Sequence, residues 1–325
     1  MQPSHLSDTA NREVQPGDPV CIGRGSFAAV YVIPILGAPF AYKQVHHSDT
    51  DSDALLHEYR ALVKLYSICD LDSFFVLPRP LGFFDPNTKQ FLSSTPSSSS
   101  WPRGRHERPL IMPDAFGPFT GATYAMERVF ALPLVAARVI REHFYGLAAA
   151  SVRAGPTLCR LYFGKDFTNA PQSRFVNTAN FPLDVARYRL LTERVPGLET
   201  AEQVAFGMGE MLGRIHWHGS YDARDVEFVL GGDGISGFCY FVIDFNQMRT
   251  WKKTVEELGT LVSSFFANDP YYPRPRPSDP LYMAFKNGYS SAYSSQAGCH
   301  AIDTAFLHDI EIEQARRDRA VSGTQ

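Results

Sequence analysis

Between Val20 and Tyr42, β-branched and aromatic residues flank Gly and Pro turns, a pattern that predicts short antiparallel strands. Asp53 to Ile68 then sets Leu55, Leu56, Tyr59, Leu62, Val63 and Tyr66 at helical spacing, behind an Asp-rich start that suits the positive end of a helix. Strand character returns from Phe74 to Phe84, with Pro78 and Pro80 marking an edge or a broken strand. Thr123 to Val129 predicts a further strand. The remainder reads as helices: Leu132 to Ala150, Ala201 to His218 with Val204, Met208, Met211, Leu212 and Ile215 on one face, and Val255 to Phe266. The Pro-dense stretch Asp269 to Pro280 predicts an irregular loop. A charged helix, Asp309 to Arg319, closes the pattern, with Glu313 four residues before Arg317. A strand-rich first third and a helix-rich remainder predict an α+β fold of two lobes, with any ligand at their join.

The boundaries follow from composition. Residues 1–17 read as a disordered tail, 18–130 as a lobe of antiparallel sheet plus one helix, 131–308 as a mainly helical lobe, and 309–325 as a charged helix and tail. Asp85 to Pro118 is rich in Ser, Pro and Arg, including Ser97 to Ser100, and predicts a long mobile insertion. Its Arg103, Arg105, His106 and Arg108 are either solvated or a phosphate-contacting, regulated cluster.

At 325 residues, 44% hydrophobic and a net charge of -3, the chain can bury a sizeable core. Its balance offers no bulk attraction to nucleic acid or to an anionic membrane. The polar, Pro-containing start has no apolar signal core, and no apolar run approaches the roughly 20 residues a bilayer requires. Five widely spaced cysteines (Cys21, Cys69, Cys159, Cys239, Cys299) read as reduced thiols, which points to the cytosol, with the nucleus as the alternative.

Six short blocks carry candidate chemistry, and their order matters. Gly23-x-Gly25-x-x-Ala28-x-Val30 allows backbone to approach a phosphate closely; taken alone, it reads better as an ordinary hairpin turn. Lys43, 13 residues after Val30, lies in the apolar run Phe40 to Val45 and requires a partner, for which Glu58 on the following helix is the candidate. Met126-Glu127-Arg128-Val129 ends a strand before a helix. Asp222-Ala223-Arg224-Asp225-Val226-Glu227 follows the helix that ends at His218, and Val242-Ile243-Asp244-Phe245-Asn246 sets a carboxylate at the end of an apolar strand. His216 and His218 lack a matching Cys or His pair, so helix-end packing accounts for them better than zinc.

In this order the blocks resemble the protein-kinase-like superfamily. The resemblance implies that Gly23, Gly25, Ala28 and Val30 cover ATP phosphates, that Lys43 is anchored by Glu58, and that Met126, Glu127 and Val129 form an adenine-binding hinge. It also implies Asp222 as catalytic base, Arg224 as a phosphoryl-neutralising cation, and Glu227 with Asp244 as Mg²⁺ ligands. Counting sets that register: five residues separate Asp222 from Glu227, whereas Asp225 as base would put Leu230 at the metal position.

The pattern also departs from that family. Ser220 and Tyr221 replace the usual His-Arg, Glu227 replaces the metal-binding Asn, and Asn246 replaces the Gly of Asp-Phe-Gly. The short connection after Asn246 is nearer aminoglycoside and choline kinases than protein kinases. Arg160 to Gly164, Asn180 to Leu183, Asp225 to Gly231, Asp244 to Gln247 and Asn268 to Pro273 further resemble an uncharacterised fungal group with a domain of unknown function, some of whose members are labelled zinc-finger proteins. No Cys/His spacing here makes a zinc site. The expectations are an Mg·ATP-dependent phosphotransferase acting on a small molecule or a protein hydroxyl, or a pseudokinase that binds a protein partner without catalysis. A nucleic-acid-associated factor, suggested only by Arg103 to Arg108 and the zinc label, stands last.

Overall fold

The computed structural model describes residues 17–35, 39–46, 48–69, 72–94, 111–146, 152–167, 176–268, 270–292 and 300–322. The predicted tail at 1–16 and the Ser-rich part of the insertion, 95–110, lie outside them.

Strands β1 (Val20–Arg24), β2 (Ala28–Val32), β3 (Phe40–Val45), β4 (Pro80–Asp85), β5 (Gln90–Ser93) and β6 (Thr123–Glu127) form one antiparallel sheet in the order β1-β2-β3-β6-β4-β5. Helix α1 (Ser48–Cys69) packs against it through Leu55, Tyr59, Leu62 and Leu65, the three-and-four spacing of one helical face. A second sheet joins β7 (Leu158–Leu161), β8 (Asn180–Leu183), β9 (Glu227–Gly232) and β10 (Phe238–Ile243) in the order β10-β9-β7-β8. In it, only β7 and β8 run parallel. Pro182 lies in β8, at the sheet edge, where a missing N–H is tolerated.

Around this sheet lie α2 (Leu134–Phe144), α3 (Val185–Arg194), α4 (Ala201–Arg214), α5 (Leu258–Ala267), α6 (Pro280–Ser291) and α7 (His300–Ser322). The fold is mixed α and β, with seven α-helices among the described residues. One hydrophobic cluster runs without a break from Val45 and Leu55 beside the first sheet to Phe306 and Ile310 on α7.

Two expectations are corrected. The stretch 85–118 is not all mobile insertion: β5 completes a hairpin with β4, and Ile111, Phe116 and Phe119 close a separate cluster with Tyr42 and Leu81. Phe91 and Leu92 at one end of the stretch and Ile111 and Phe116 at the other supply the apolar surface that packs. The region 131–308 is not simply helical, because β7 to β10 form its centre. Strands β7 and β8 are four residues long, too short for their alternation to stand out. Helices α3 and α6 were also not predicted.

The closest helix contact crosses α4 and α6 through glycine. A Cβ on Gly209 would stand 1.9 Å from the Phe285 carbonyl oxygen, and one on Gly288 would stand 1.9 Å from that of Phe206. The two backbones therefore touch where no side chain fits. Gly209→Ala should destabilise the protein by about 2 kcal/mol or more through overpacking. Gly259→Ala on α5, where a Cβ meets nothing within 4 Å, should leave stability unchanged or raise it by about 0.5–1 kcal/mol. Urea unfolding of the two variants checks the contrast.

Candidate functional site: an ionic cleft between the two sheets

Within β3 of the first sheet stands a lysine that water barely reaches. Lys43 is 9% exposed. Its Nζ donates to Glu58 Oε1 at 2.6 Å and to Asp244 Oδ1 at 2.9 Å. Helix α1 supplies Glu58, fully buried, whose Oε1 also accepts from Tyr124 Oη at 3.1 Å and from the Phe245 N–H at 3.4 Å. Asp244 follows β10 and has φ +65°, a left-handed conformation uncommon outside glycine. A single ammonium thus ties strand, helix and post-strand turn together. Burial alone would discharge Lys43, but Glu58, Tyr124 and Asp244 outweigh it and hold the ammonium protonated. Burial pushes the Glu58 carboxyl up against the opposing pull of Lys43.

This bridge borders a cavity of about 520 Å³, within the usual range for small-ligand sites. Ile22, Val30, Ala41, Met126, Val129, Leu158 and Ile243 give it an apolar wall, while Lys43, Arg160, Asp225, Glu227, Asp244 and Asn246 give it a polar one. Gly23 and Gly25 also line it. Neither has φ in the left-handed region, and an added Cβ would meet nothing closer than 3.9 Å at Gly23 or 3.6 Å at Gly25. The hairpin therefore does not require glycine at either place; bareness toward the cavity is what the two glycines provide. His46 Nε2 lies 2.8 Å from the Gly25 carbonyl oxygen and the His46 backbone N–H donates to the Phe27 carbonyl, which fixes the turn over the cleft.

The sequence-predicted residues divide clearly. Gly23, Gly25, Ala28, Val30, Lys43, Met126, Val129, Glu227 and Asp244 all line the cavity, and Glu58 stands directly behind Lys43. Glu127 does not line it: its side chain is exposed and its N–H is donated to the Arg79 carbonyl. Asp222 and Arg224 do not line it either.

The Asp222 side chain is completely buried, and each of its oxygens accepts two hydrogen bonds. Oδ1 takes the N–H groups of Arg224 and Arg249, while Oδ2 takes Arg249 Nε at 2.8 Å and Ser264 Oγ at 3.0 Å. A carboxylate has about four lone-pair sites, so none remains to accept a substrate proton. The expected base is an anchor for the segment after β10. The spacing argument missed this because Ala223 and Asp225 take φ +51° and +62°, turning the loop so that Asp225, not Asp222, reaches the cleft.

Asp225 is held by Gln247 Nε2 on its carboxylate and by Asn268 Oδ1 on its N–H. Burial, then the charge of Asp244, pushes its carboxyl up. Glu227 opens β9 and meets the Arg160 guanidinium at 2.6 Å. Burial exceeds the pull of Arg160, and Asp244 and Asp225 add to it, so the Glu227 carboxyl rises to about 7. Arg160 is a residue that the motif blocks did not assign to the cleft. Its signal was the alternation Leu158-Cys159-Arg160-Leu161, with Cys159 and Leu161 buried and the other two facing the cavity.

His216 and His218 pack against α6, through Tyr289 Oη at 2.9 Å and the Ala292 carbonyl at 3.0 Å. Burial lowers the His216 imidazole to about 3, so it is neutral at ordinary pH.

Comparison with known proteins adds little chemistry. The family described as "Zinc finger protein" matches residues 240–299. That stretch holds one cysteine, Cys299, and no histidine. Among the described residues, no group of three or more His, Cys, Asp or Glu could hold a metal ion unaided. No curated protein matches the chain. Among solved structures, SAICAR-synthase from Saccharomyces cerevisiae complexed with SAICAR aligns at a TM-score of 0.30 and 12% identity, covering 89% of this chain and 100% of that one. No described helix is long and apolar enough to cross a membrane.

Removing Lys43 leaves Glu58 buried without its opposite charge. Lys43→Met should cost about 3–5 kcal/mol at pH 7, the usual cost of breaking a buried pair. Its folded Glu58 pKa then stands further above the unfolded value of 4.5, so the variant's stability is retained below that pH and lost as pH rises. Urea unfolding at pH 5 and pH 7 should show the smaller deficit at pH 5.

Proposed function

We propose that the chain is a kinase-like, two-lobed phosphotransferase that binds Mg·ATP in this cleft and transfers phosphate to a hydroxyl. The observation that carries the reading is the ammonium of Lys43 held between Glu58 and Asp244 beneath a bare glycine turn. A fixed cation, a carboxylate one step from it and exposed backbone above are what a triphosphate with its metal requires. The apolar wall from Ile22 to Ile243 offers a slot for a flat base, entered from the segment containing Met126 and Val129.

Asp244 and Glu227 would hold Mg²⁺, which would neutralise charge on the phosphates. Two protein carboxylates suit that ion, which completes its shell with phosphate oxygens and water. The donor set fits, because burial and then the negative charge of Asp244 push the Asp225 and Glu227 carboxyls up, and a divalent cation would relieve that repulsion. Asp225 would accept the acceptor's proton, a task suited to a carboxyl raised by burial. Gln247 orients it, and Asn268 fixes the backbone behind it.

A second reading is favoured by one feature. Glu227 is already engaged by Arg160, and without its release the cleft binds nucleotide but lacks a second metal ligand. That is the pseudokinase reading.

Mg·ATP at a hundredfold excess over its Kd should stabilise the protein by about 2.7 kcal/mol in thermal unfolding. Lys43→Ala and Asp244→Ala should lose the shift, and Gly25→Ala should weaken it while melting like wild type without ligand. Asp225→Asn should keep the shift and lose phosphate release from ATP. A shift without phosphate transfer in wild type, either to water or to any hydroxyl of an acceptor panel, would select the pseudokinase reading, and no shift would overturn both.

Glu227 gives a pH signature. Its carboxyl is raised from 4.5 to about 7, so the free protein loses stability as pH rises through that window. A metal-bound carboxylate reverses the sign for ligand, so Mg·ATP should bind up to about tenfold tighter at pH 8 than at pH 6. Calorimetry on Glu227→Gln should show that dependence gone.

A further inference from the structure

Both carboxylates that the cleft offers to a metal already hold a cation of the protein's own. Asp244 Oδ1 accepts from the Lys43 ammonium at 2.9 Å, and Glu227 Oε1 meets a terminal nitrogen of Arg160 at 2.6 Å. The two pairs stand at the same end of the second sheet, because Glu227 lies opposite Ile243 and Asp244 follows Ile243 directly.

The pairs differ in what each cation keeps if its carboxylate turns to a metal. Lys43 retains the buried Glu58 at 2.6 Å. For Arg160, Glu227 is the only acid in ion-pair contact among the described residues. Arg160 lies opposite Val229, two residues along β9 from Glu227, so the two side chains share a face as diagonal neighbours. The other terminal nitrogen donates to Tyr162 Oη at 3.2 Å, and the Tyr162 ring packs edge-on against Tyr271 with centroids 4.9 Å apart. That contact steadies the guanidinium without neutralising it. The pair sits in the cavity wall, with the Arg160 side chain 35% exposed and that of Glu227 14%.

A guanidinium keeps its proton at any ordinary pH, so this pair opens only when both members find other partners. A bare divalent cation supplies a partner for Glu227 and none for Arg160, whose charge would be left half-buried beside the incoming one. A metal carried by a triphosphate supplies both: a cation for Glu227, and phosphate oxygens that match the guanidinium fork.

We propose that the Arg160–Glu227 pair is a latch that keeps free divalent cations out of the cleft and opens to a metal only when phosphates arrive with it. The release step rests on the nucleotide-binding reading above, whereas the closed state is tested without nucleotide.

Titration with Mn²⁺ alone, followed by the electron spin resonance of the free ion, reads the closed state. Arg160→Met should bind Mn²⁺ about tenfold tighter than wild type or more, the scale of one charge-assisted hydrogen bond. Adding Glu227→Gln to that variant should cancel the gain. If thermal unfolding shows that Arg160→Met fails to fold, Arg160→Gln takes its place in the same comparison. Calorimetry with Mg·ATP reads the release, and here the sign should reverse. Arg160→Met should bind Mg·ATP about tenfold more weakly than wild type, having lost a phosphate partner. Equal Mn²⁺ affinities in wild type and Arg160→Met, or a gain that survives Glu227→Gln, would overturn the latch and leave nucleotide binding standing. Mg·ATP binding that tightens in Arg160→Met would show an arginine that only obstructs, and would overturn the release step. Wild type that binds no Mg·ATP would overturn the nucleotide reading and the release step together.

Discussion

A buried charge must be compensated, and around Lys43 the chain satisfies that constraint with parts distant in sequence. Glu58 lies 15 residues away and Asp244 lies 201 away, yet both reach one ammonium. An isolated lysine in β3 would be expelled toward solvent, and an isolated Glu58 at the core face of α1 would be equally costly. Their pairing requires α1 to lie across the first sheet and β10 to end beneath it. The positions of helix and second sheet relative to β3 are therefore coupled through one nitrogen.

A second carboxylate does comparable work out of sight of the cleft. Asp222 fastens the turn before β9 to Arg249 and to Ser264 on α5, and the Arg249 carbonyl accepts the Asp222 N–H in return. This fastening braces the strained residues Ala223, Asp225 and Asp244, whose left-handed backbones cost on the order of 1–3 kcal/mol each unless surrounding structure imposes them. Strain of this kind gathers at sites where side-chain direction matters more than local comfort. Here it turns Asp225 and Asp244 toward the same space.

Much of this was legible in the residues. The apolar run around Lys43 required a partner, and Glu58 on the following helix was the candidate that the structure pairs with it. Strands β1, β2, β3 and β6 and helices α1, α4 and α5 follow from patterns long enough to repeat. Asp222 was misread because residue counting assumes an ordinary backbone, and two left-handed residues rotate the loop. Strands β7 and β8 were missed because two alternations are too few to distinguish from chance, so Arg160 and Asn180 were not seen as cleft residues. The insertion was misjudged from its polar middle, although Phe91, Ile111, Phe116 and Phe119 at its ends have ample apolar surface to bury.

The edge position of β8 has a consequence for what other chains can pair with it. A cleft wall that ends a sheet exposes a row of backbone donors and acceptors to any extended peptide, including another copy of the same strand. Pro182 removes one donor from that row, and the strand stops after four residues. The cleft-facing surface can thus remain open while offering a poor template for chain-to-chain pairing. A single ring closure between Asn180 and Leu183 thus guards the sheet edge at the place where the cleft wall leaves it unpaired.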